Sequence, residues 1–553
     1  MLFMNHKILV LALLFFGCKP KEEAKPNISP LAKVEAKLVK VSPFTYEFTA
    51  TASDQEFDPL TYAWDFGNGQ KKTGKEVETA TFDAGRKFTI TVTVSDGKST
   101  PTDAKIEINT EFQTATIDAS KTFQTIEGFG GFGAQNVYWS GGPFTSERFV
   151  NDLVTDMGVT IVREDIPTSF EIENDNSDPN ITDLSKYNLD KQIDGHHAPF
   201  NRRLPHLKAL YAAGVRKFIA SVWSPAPWMK HNNRIDNGTP NNSAPAYNRN
   251  PNSSSNQLKV ENYEEFAEMC VAYCRIFKRD VGVDLFALSV QNEPRFSQFY
   301  QSCVYDGEAL RDLIKVVGRR FRKEGLTTKL FLPEDVGFLD GVRGMTIPAL
   351  NDADSRQYVD IVATHGYAFD GIAPSSTDAK TWETMYGWGG QYGKQHWMTE
   401  TSGFKNTLEG ANGLAKAMYT AFRFGNVSAW VFWTFSTDKV DEYSLMSASG
   451  EKSKRYYVSK QFYKYVRPGA VRVEANSAAS DVLTLAFINN GVSTVVLINL
   501  SNSDKAMKIS GGAARYRVIK TGAADDAKEG EAIEKDGIFI VPAKGVTTLY
   551  SGN

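Results

Sequence analysis

Two glutamates stand where residue type and context could do chemistry: Glu293, in Ser289-Val290-Gln291-Asn292-Glu293-Pro294, and Glu400, in His396-Trp397-Met398-Thr399-Glu400-Thr401. Each sits where a short apolar run ends and a loop is expected to begin. Carboxylates at the exits of two parallel strands would face one another across a pocket. Such a pair is what hydrolysis of a glycosidic bond requires, one carboxyl acting as acid and the other as nucleophile or base. No Cys or His spacing of metal-binding type accompanies them, so no metal and no cofactor is expected.

Two carboxylates held this way need a scaffold of parallel strands. From about residue 114, short strand-like runs alternate with longer helical ones. The runs are Ile126-Glu127-Gly128-Phe129-Gly130, Gly158-Val159-Thr160-Ile161-Val162-Arg163, Lys217-Phe218-Ile219-Ala220-Ser221-Val222 and Leu285-Phe286-Ala287-Leu288-Ser289-Val290. They continue with Lys329-Leu330-Phe331-Leu332, Val359-Asp360-Ile361-Val362-Ala363-Thr364, Gln395-His396-Trp397-Met398 and Ala429-Trp430-Val431-Phe432-Trp433. Helical periods fill the gaps, as over 263–278 and 307–322. Strand–helix units repeated in this way predict a (β/α)8 TIM barrel over 114–466, with its active site at the carboxyl ends of the strands. Glu293 then belongs to the fourth run and Glu400 to the seventh.

The flanks read differently. Residues 33–110 alternate in the manner of strands, with Gly, Asp and Pro between them, and predict a small β-sandwich. Tyr62-Ala63-Trp64-Asp65-Phe66-Gly67-Asn68-Gly69, with Val94-Ser95-Asp96-Gly97, resembles a PKD-type immunoglobulin-like domain. Trp64 and Phe66 would point inward there and Gly67 and Gly69 shape the turn, which makes the unit a spacer. Residues 467–553 predict a second β-sandwich, with a hairpin signal at Asn489-Asn490-Gly491. The segment 114–117 is expected to pair into it and tie it to the barrel.

A chain of 553 residues implies two to four domains. Its net charge of −3 gives no reason to expect nucleic acid or an anionic membrane surface as partner. With 9 Trp, 22 Tyr and 35 Phe, rings are available for sugar stacking beyond those the core consumes. At the N-terminus, Lys7 precedes the apolar run 8–16, and Gly17-Cys18 follows. The layout resembles a bacterial lipoprotein signal: 1–17 would be removed, Cys18 lipidated, and 18–32 left as a tether. Lys19-Pro20-Lys21-Glu22-Glu23 is similar to the acidic tethers of surface-exported lipoproteins of Bacteroidetes. That implies lipid anchoring at the outer membrane or cell surface of a Gram-negative bacterium, with Cys18 as the sole membrane attachment. Plain secretion with an unrelated Cys18 is the alternative. Cys270 and Cys274 share a predicted helix face and read as small buried side chains, though a bridge from either to Cys303 stays open.

Five stretches resemble glycoside hydrolase family 30, a retaining (β/α)8 family: Gly128-Phe129-Gly130-Gly131, Trp223-Ser224-Pro225-Ala226-Pro227-Trp228-Met229-Lys230, Gln291-Asn292-Glu293-Pro294, Thr399-Glu400 and Val466-Arg467-Pro468-Gly469. The resemblance spans roughly 114–553. It implies Glu293 as acid/base, Glu400 as nucleophile, and Asn292 as a hydrogen-bond donor to the sugar 2-hydroxyl. Arg163 can hold Glu400 ionised, or pair instead with Glu164 or Asp165. Tyr367 can hydrogen-bond the nucleophile. His365 is expected to orient or pack. Trp223 and Trp433 are candidate walls of the cleaved subsite, a core role being the alternative. The expected activity is retaining hydrolysis, by a monomer, of a β-linked polysaccharide of xylan, β-1,6-glucan or β-1,6-galactan type. Residues 436–443 lack the paired-Arg loop of glucuronoxylan-specific members. The Asn-, Ser- and Pro-rich stretch 231–257 is expected over the catalytic face. The rival reading is a surface lipoprotein that binds glycans without cutting them.

Overall fold

The computed structural model describes residues 26–133, 146–193, 198–242, 247–249, 253–337, 339–367 and 378–552. The signal-like run and Cys18 lie outside the described residues. The chain divides into two compact units, Met1–Glu111 and Phe112–Asn553.

The first unit pairs a three-stranded sheet (Leu31–Val41, Phe44–Ser53, Val77–Phe82) with a four-stranded one (Lys71–Thr73, Thr61–Asp65, Lys87–Ser95, Thr102–Asn109). Alternation drives it: along Lys87–Ser95 every second residue, Phe88, Ile90, Val92 and Val94, is buried, because successive side chains leave opposite faces of a strand. Trp64 is 2% exposed, stacks on Phe66 at 5.9 Å, and donates its indole N–H to the Lys75 carbonyl at 2.8 Å. It is a core residue and offers no face to a sugar. Gly67 has φ +68°, and a Cβ there would lie 2.5 Å from the Thr89 carbonyl oxygen, so the turn after Phe66 requires glycine.

The second unit contains a closed barrel of parallel strands: β1 (Gly128–Phe132), β2 (Ile161–Asp165), β3 (Lys217–Ser221), β4 (Ala287–Ser289), β5 (Lys329–Val336), β6 (Ile361–Tyr367), β7 (Gln395–Ser402) and β8 (Val427–Phe432). β8 pairs with β1 to close the ring. Ile161, Ile219, Phe331, Ile361, Trp397 and Val431 fill the interior, so the barrel is a packed core beneath its catalytic rim. The glycines of β1 have a packing cause: a Cβ on Gly130 would sit 1.7 Å from the Ile161 carbonyl oxygen. The helices Tyr263–Val281 and Gly307–Lys323 cover the outside. Asp306 caps the second by accepting from the Ala309 N–H at 2.7 Å, satisfying a donor the helix cannot.

Beyond the barrel, the described residues form one ten-stranded sheet. Its inner face shares a core of Ala115, Leu497, Met507, Phe539 and Leu549. One member comes from before the barrel: Gln113–Thr125 pairs antiparallel with Val471–Ser477 and parallel with Lys505–Ser510. The helix Lys454–Tyr463 stitches barrel to sheet. Tyr456 donates to the Asp152 carbonyl at 2.6 Å, and Gln461 Nε2 to Thr521 Oγ1 at 2.5 Å. Cys270, Cys274 and Cys303 are buried free thiols.

Candidate active site

The barrel brings residues from β2 through β8 to one end. Glu400 lies within β7, two residues before its end, and Glu293 lies four residues past the shorter β4. One oxygen of each, together with a ring nitrogen of His365, all fall within 4.8 Å of one another. Glu293 is 6% exposed and Glu400 4%, so both carboxyls sit largely out of water while their tips reach the cleft. Glu293 has φ +48°, a left-handed conformation costly for a side chain of this size and found mostly where geometry is imposed by function. Its N–H donates to the Glu334 carbonyl at 2.9 Å, which holds the turn.

Arg163 stands mid-β2, and its guanidinium points inward. Nη1 donates to Glu400 Oε2, and Nη2 meets Glu334 Oε1 at 2.8 Å and Asn292 Oδ1 at 2.7 Å. Of the expected alternatives, Asp165 is taken by Arg203, at 2.5 Å, which also lies 3.6 Å from Glu164. Asn292 thus spends its oxygen on Arg163, and its amide N–H2 remains the group able to donate elsewhere. The Tyr367 hydroxyl donates to Glu400 Oε1. His365 is fully buried, with Nδ1 3.2 Å from Glu293 Oε1 and Nε2 3.5 Å from Glu334 Oε1. Trp223 is 5% exposed beneath Arg163, whose guanidinium carbon lies 4.6 Å from the ring centre. Trp433, partly exposed, packs on Phe132 at 4.3 Å and lies 6.0 Å from Trp223.

The electrostatics follow from burial and counter-charge. Burial by itself pushes the His365 imidazole down, but the Glu400 charge and the hydrogen bonds to Glu293 and Glu334 outweigh it and raise it to about 9. His365 is therefore an imidazolium at neutral pH. Burial pushes Glu334 up, yet Arg163 and then His365 bring it below the usual carboxylate range. Burial raises Glu400 despite His365 and Arg163, with Glu293 adding to the rise. A pair this close titrates as a unit. Glu400 receives the charged Arg163 donor and the Tyr367 hydroxyl, which favour its anion. Glu293 receives only His365 and a neutral amide, Gln298 Nε2 at 3.0 Å.

Several of these residues went unsingled in the sequence. Glu334 follows the run Lys329-Leu330-Phe331-Leu332 and obeys the same strand-exit logic as Glu293, so the signal was present. Asp335 beside it is pushed up by burial to about 6 and pairs with Arg295. Gln298 and Tyr300 come from the loop after β4 and carry no local signature. That loop is braced by the stretch 231–257. The Asn237 N–H donates to the Gln298 carbonyl at 3.0 Å, and Asn256 Nδ2 to Ser302 Oγ at 2.8 Å. Residues 243–246 and 250–252 of that stretch lie outside the described residues.

With this geometry in place, comparison with known proteins adds two kinds of likeness. Residues 27–110 match the PKD domain family. The remainder is similar to the glucuronoxylanase XynC of Bacillus subtilis (strain 168), 25% identical over 366 residues that cover 64% of this chain and 79% of that one. It is also similar to an endo-1,6-beta-D-glucanase of Aspergillus fumigatus, 25% identical and covering 52% of this chain and 59% of that one. Among solved structures, the glycoside hydrolase family 30 subfamily 8 xylanase from Clostridium acetobutylicum superposes with a TM-score of 0.61 at 25% identity, over 79% of this chain and 99% of that one. Fold, carboxylate pair and these likenesses together define a (β/α)8 catalytic region of glycosidase type, family 30-like, behind a PKD domain.

Proposed function

We propose that residues 114–466 hydrolyse a β-linked polysaccharide by double displacement. Glu400 attacks the anomeric carbon while Glu293 passes its proton to the departing glycosidic oxygen, leaving a glycosyl ester on Glu400. Water then enters, Glu293 takes its proton, and the ester opens with net retention. The observation that carries this reading is the approach of the two carboxyls to within 4.8 Å. Retaining pairs lie ~5–5.5 Å apart and inverting pairs ~6.5–9.5 Å, the wider gap admitting a water. Asn292 would donate to the sugar 2-hydroxyl, Tyr367 and Arg163 hold the nucleophile, His365 orient the pair, and Trp433 and Trp223 wall the subsite. One chain holds the whole constellation, which supports action as a monomer.

Xylan, β-1,6-glucan and β-1,6-galactan are the candidate substrates. Residues 436–443 carry Asp438, Asp441 and Glu442 against Lys439, so a glucuronate branch would meet like charge there. A neutral backbone is the better fit. Cys18 as lipidated N-terminus, 18–32 as tether and 33–110 as spacer would hold the barrel outward from the cell surface. Among the described residues no helix is long and apolar enough to cross a membrane, which suits an anchor at Cys18. Mass spectrometry of the mature chain, with Cys18→Ala as control, tests that part. Product analysis by NMR on neutral β-linked polysaccharides tests the activity. Inverted products would overturn the mechanism. Glycan binding without turnover would favour a surface glycan-binding protein instead.

A further inference from the structure

A second acidic cluster lies away from the catalytic pair. Glu171 and Asp175 come from the segment after β2, and Glu265 and Glu268 from the first turns of the helix Tyr263–Val281. One oxygen each from Asp175, Glu265 and Glu268 fall within 4.8 Å of one another. That is the widest spacing two oxygens can have when both lie about 2.4 Å from one ion. Glu171, 2% exposed, feels the charge of all three. Neither of its carboxyl oxygens has a hydrogen-bonding partner among the described residues, and the buried Glu268 has only the neutral Thr182 hydroxyl. The Tyr187 hydroxyl, whose ring is 5% exposed beside the same carboxyls, is also unpartnered.

Buried carboxyl oxygens that no donor satisfies cost free energy unless something positive reaches them. Among the described residues the protein offers neutral donors, Asn174 to Glu265 and Thr182 to Glu268, and no ion pair to any of the four. Arg320 acts on Glu265 and Glu268 at a distance, but its hydrogen bonds go to the Pro179 carbonyl and Thr182, and it pairs with Glu324 at 2.9 Å. Two oxygen-rich carboxylates on a helix and two on a neighbouring loop, with a phenol beside them, match the hard, many-oxygen shell a calcium-sized ion takes. Magnesium, which keeps its waters and demands a strict octahedron, matches it poorly.

We propose that Asp175, Glu265 and Glu268, with Glu171, form a binding site for a divalent cation of the calcium class. The ion would clamp the segment after β2 to the helix that follows β3.

The test uses the full chain, stripped with EDTA and studied at about pH 8. Calorimetric titration with CaCl2 is expected to find one site per chain. About 5 mM CaCl2 is expected to raise the melting temperature by about 2–5 °C. Glu268→Gln and Glu171→Gln keep shape while removing charge, and each is expected to lose both the heat and the melting shift. Far-UV circular dichroism checks that they fold. No heat and no shift with the parent chain overturns the site, as does unchanged binding in both variants. An equal shift with MgCl2 overturns the assignment to the calcium class.

Discussion

The barrel buries two groups of carboxylates and treats them in opposite ways. Around Glu293, Glu334 and Glu400 it also buries two cations, Arg163 and His365, both fully inaccessible. Around Glu171, Asp175, Glu265 and Glu268 it places no comparably close one among the described residues. In the first group the fixed charges tell the carboxyls apart: Arg163 and His365 hold Glu334 below the usual carboxylate range, whereas burial raises Glu400 against the same two cations. In the second group nothing sorts them, and the carboxyls wait for protons or for an external cation. Burial alone therefore does not make a carboxyl catalytic. Counter-charges decide whether it becomes an acid, a nucleophile or a ligand.

The sharpest way to break this comparison is to remove the proposed nucleophile. Glu400→Gln is expected to lower kcat about 10^4-fold with the fold intact, and turnover within tenfold of the parent would sink the carboxylate pair. Arg163→Met removes the charge that Glu400 and Glu334 both use. We expect a loss of about 3–5 kcal/mol in urea-measured stability, together with a marked fall in kcat. A variant as stable as the parent would mean that the ion pairs are not what holds the cluster.

Matched amide substitutions then contrast the two groups directly. Glu334→Gln takes from Arg163 and His365 one of their buried carboxylate partners and should destabilise by about 2–3 kcal/mol. Glu268→Gln, in EDTA, should be neutral or slightly stabilising, because it removes an uncompensated charge. Equal losses in both would erase the distinction.

His365 gives a pH signature. Its folded value, about 9, lies above its ordinary one, so its contribution to stability is complete below about 6.5 and disappears as pH rises through about 9. Melting temperatures from about pH 6 to 10 should fall more steeply in the parent than in His365→Gln. Parallel curves would contradict an imidazolium at that position. The smallest effect is expected at Tyr367→Phe, about a tenfold loss in kcat with little change in KM. A change in KM alone would move Tyr367 from the nucleophile to substrate binding.

Much of the site was legible in the sequence because its parts are local. Gln291-Asn292-Glu293-Pro294 and Thr399-Glu400 each occupy a few consecutive residues, and counting apolar runs assigns them to β4 and β7 without any contact being known. The barrel is legible for the same reason, since strand and helix periods are properties of short windows. The sequence named Glu400 as a partner of Arg163 but could not separate it from Glu164 or Asp165. Glu164 and Asp165 adjoin Arg163 in the chain, yet neighbours along a strand point to opposite faces or lie too far apart on one. Arg203 reaches Asp165 and approaches Glu164, and Arg163 turns to Glu400, 237 positions away. The protonation of His365 and the gathering of Glu171, Asp175, Glu265 and Glu268 likewise needed the fold.

By itself, then, the sequence determined which elements form, which strands end in carboxylates and which reaction those residue types allow. Tertiary structure alone decided which charges meet. Segment periodicity is written in neighbouring residues, whereas the state of a buried ionisable group depends on every charge within a few ångströms, whatever its distance along the chain.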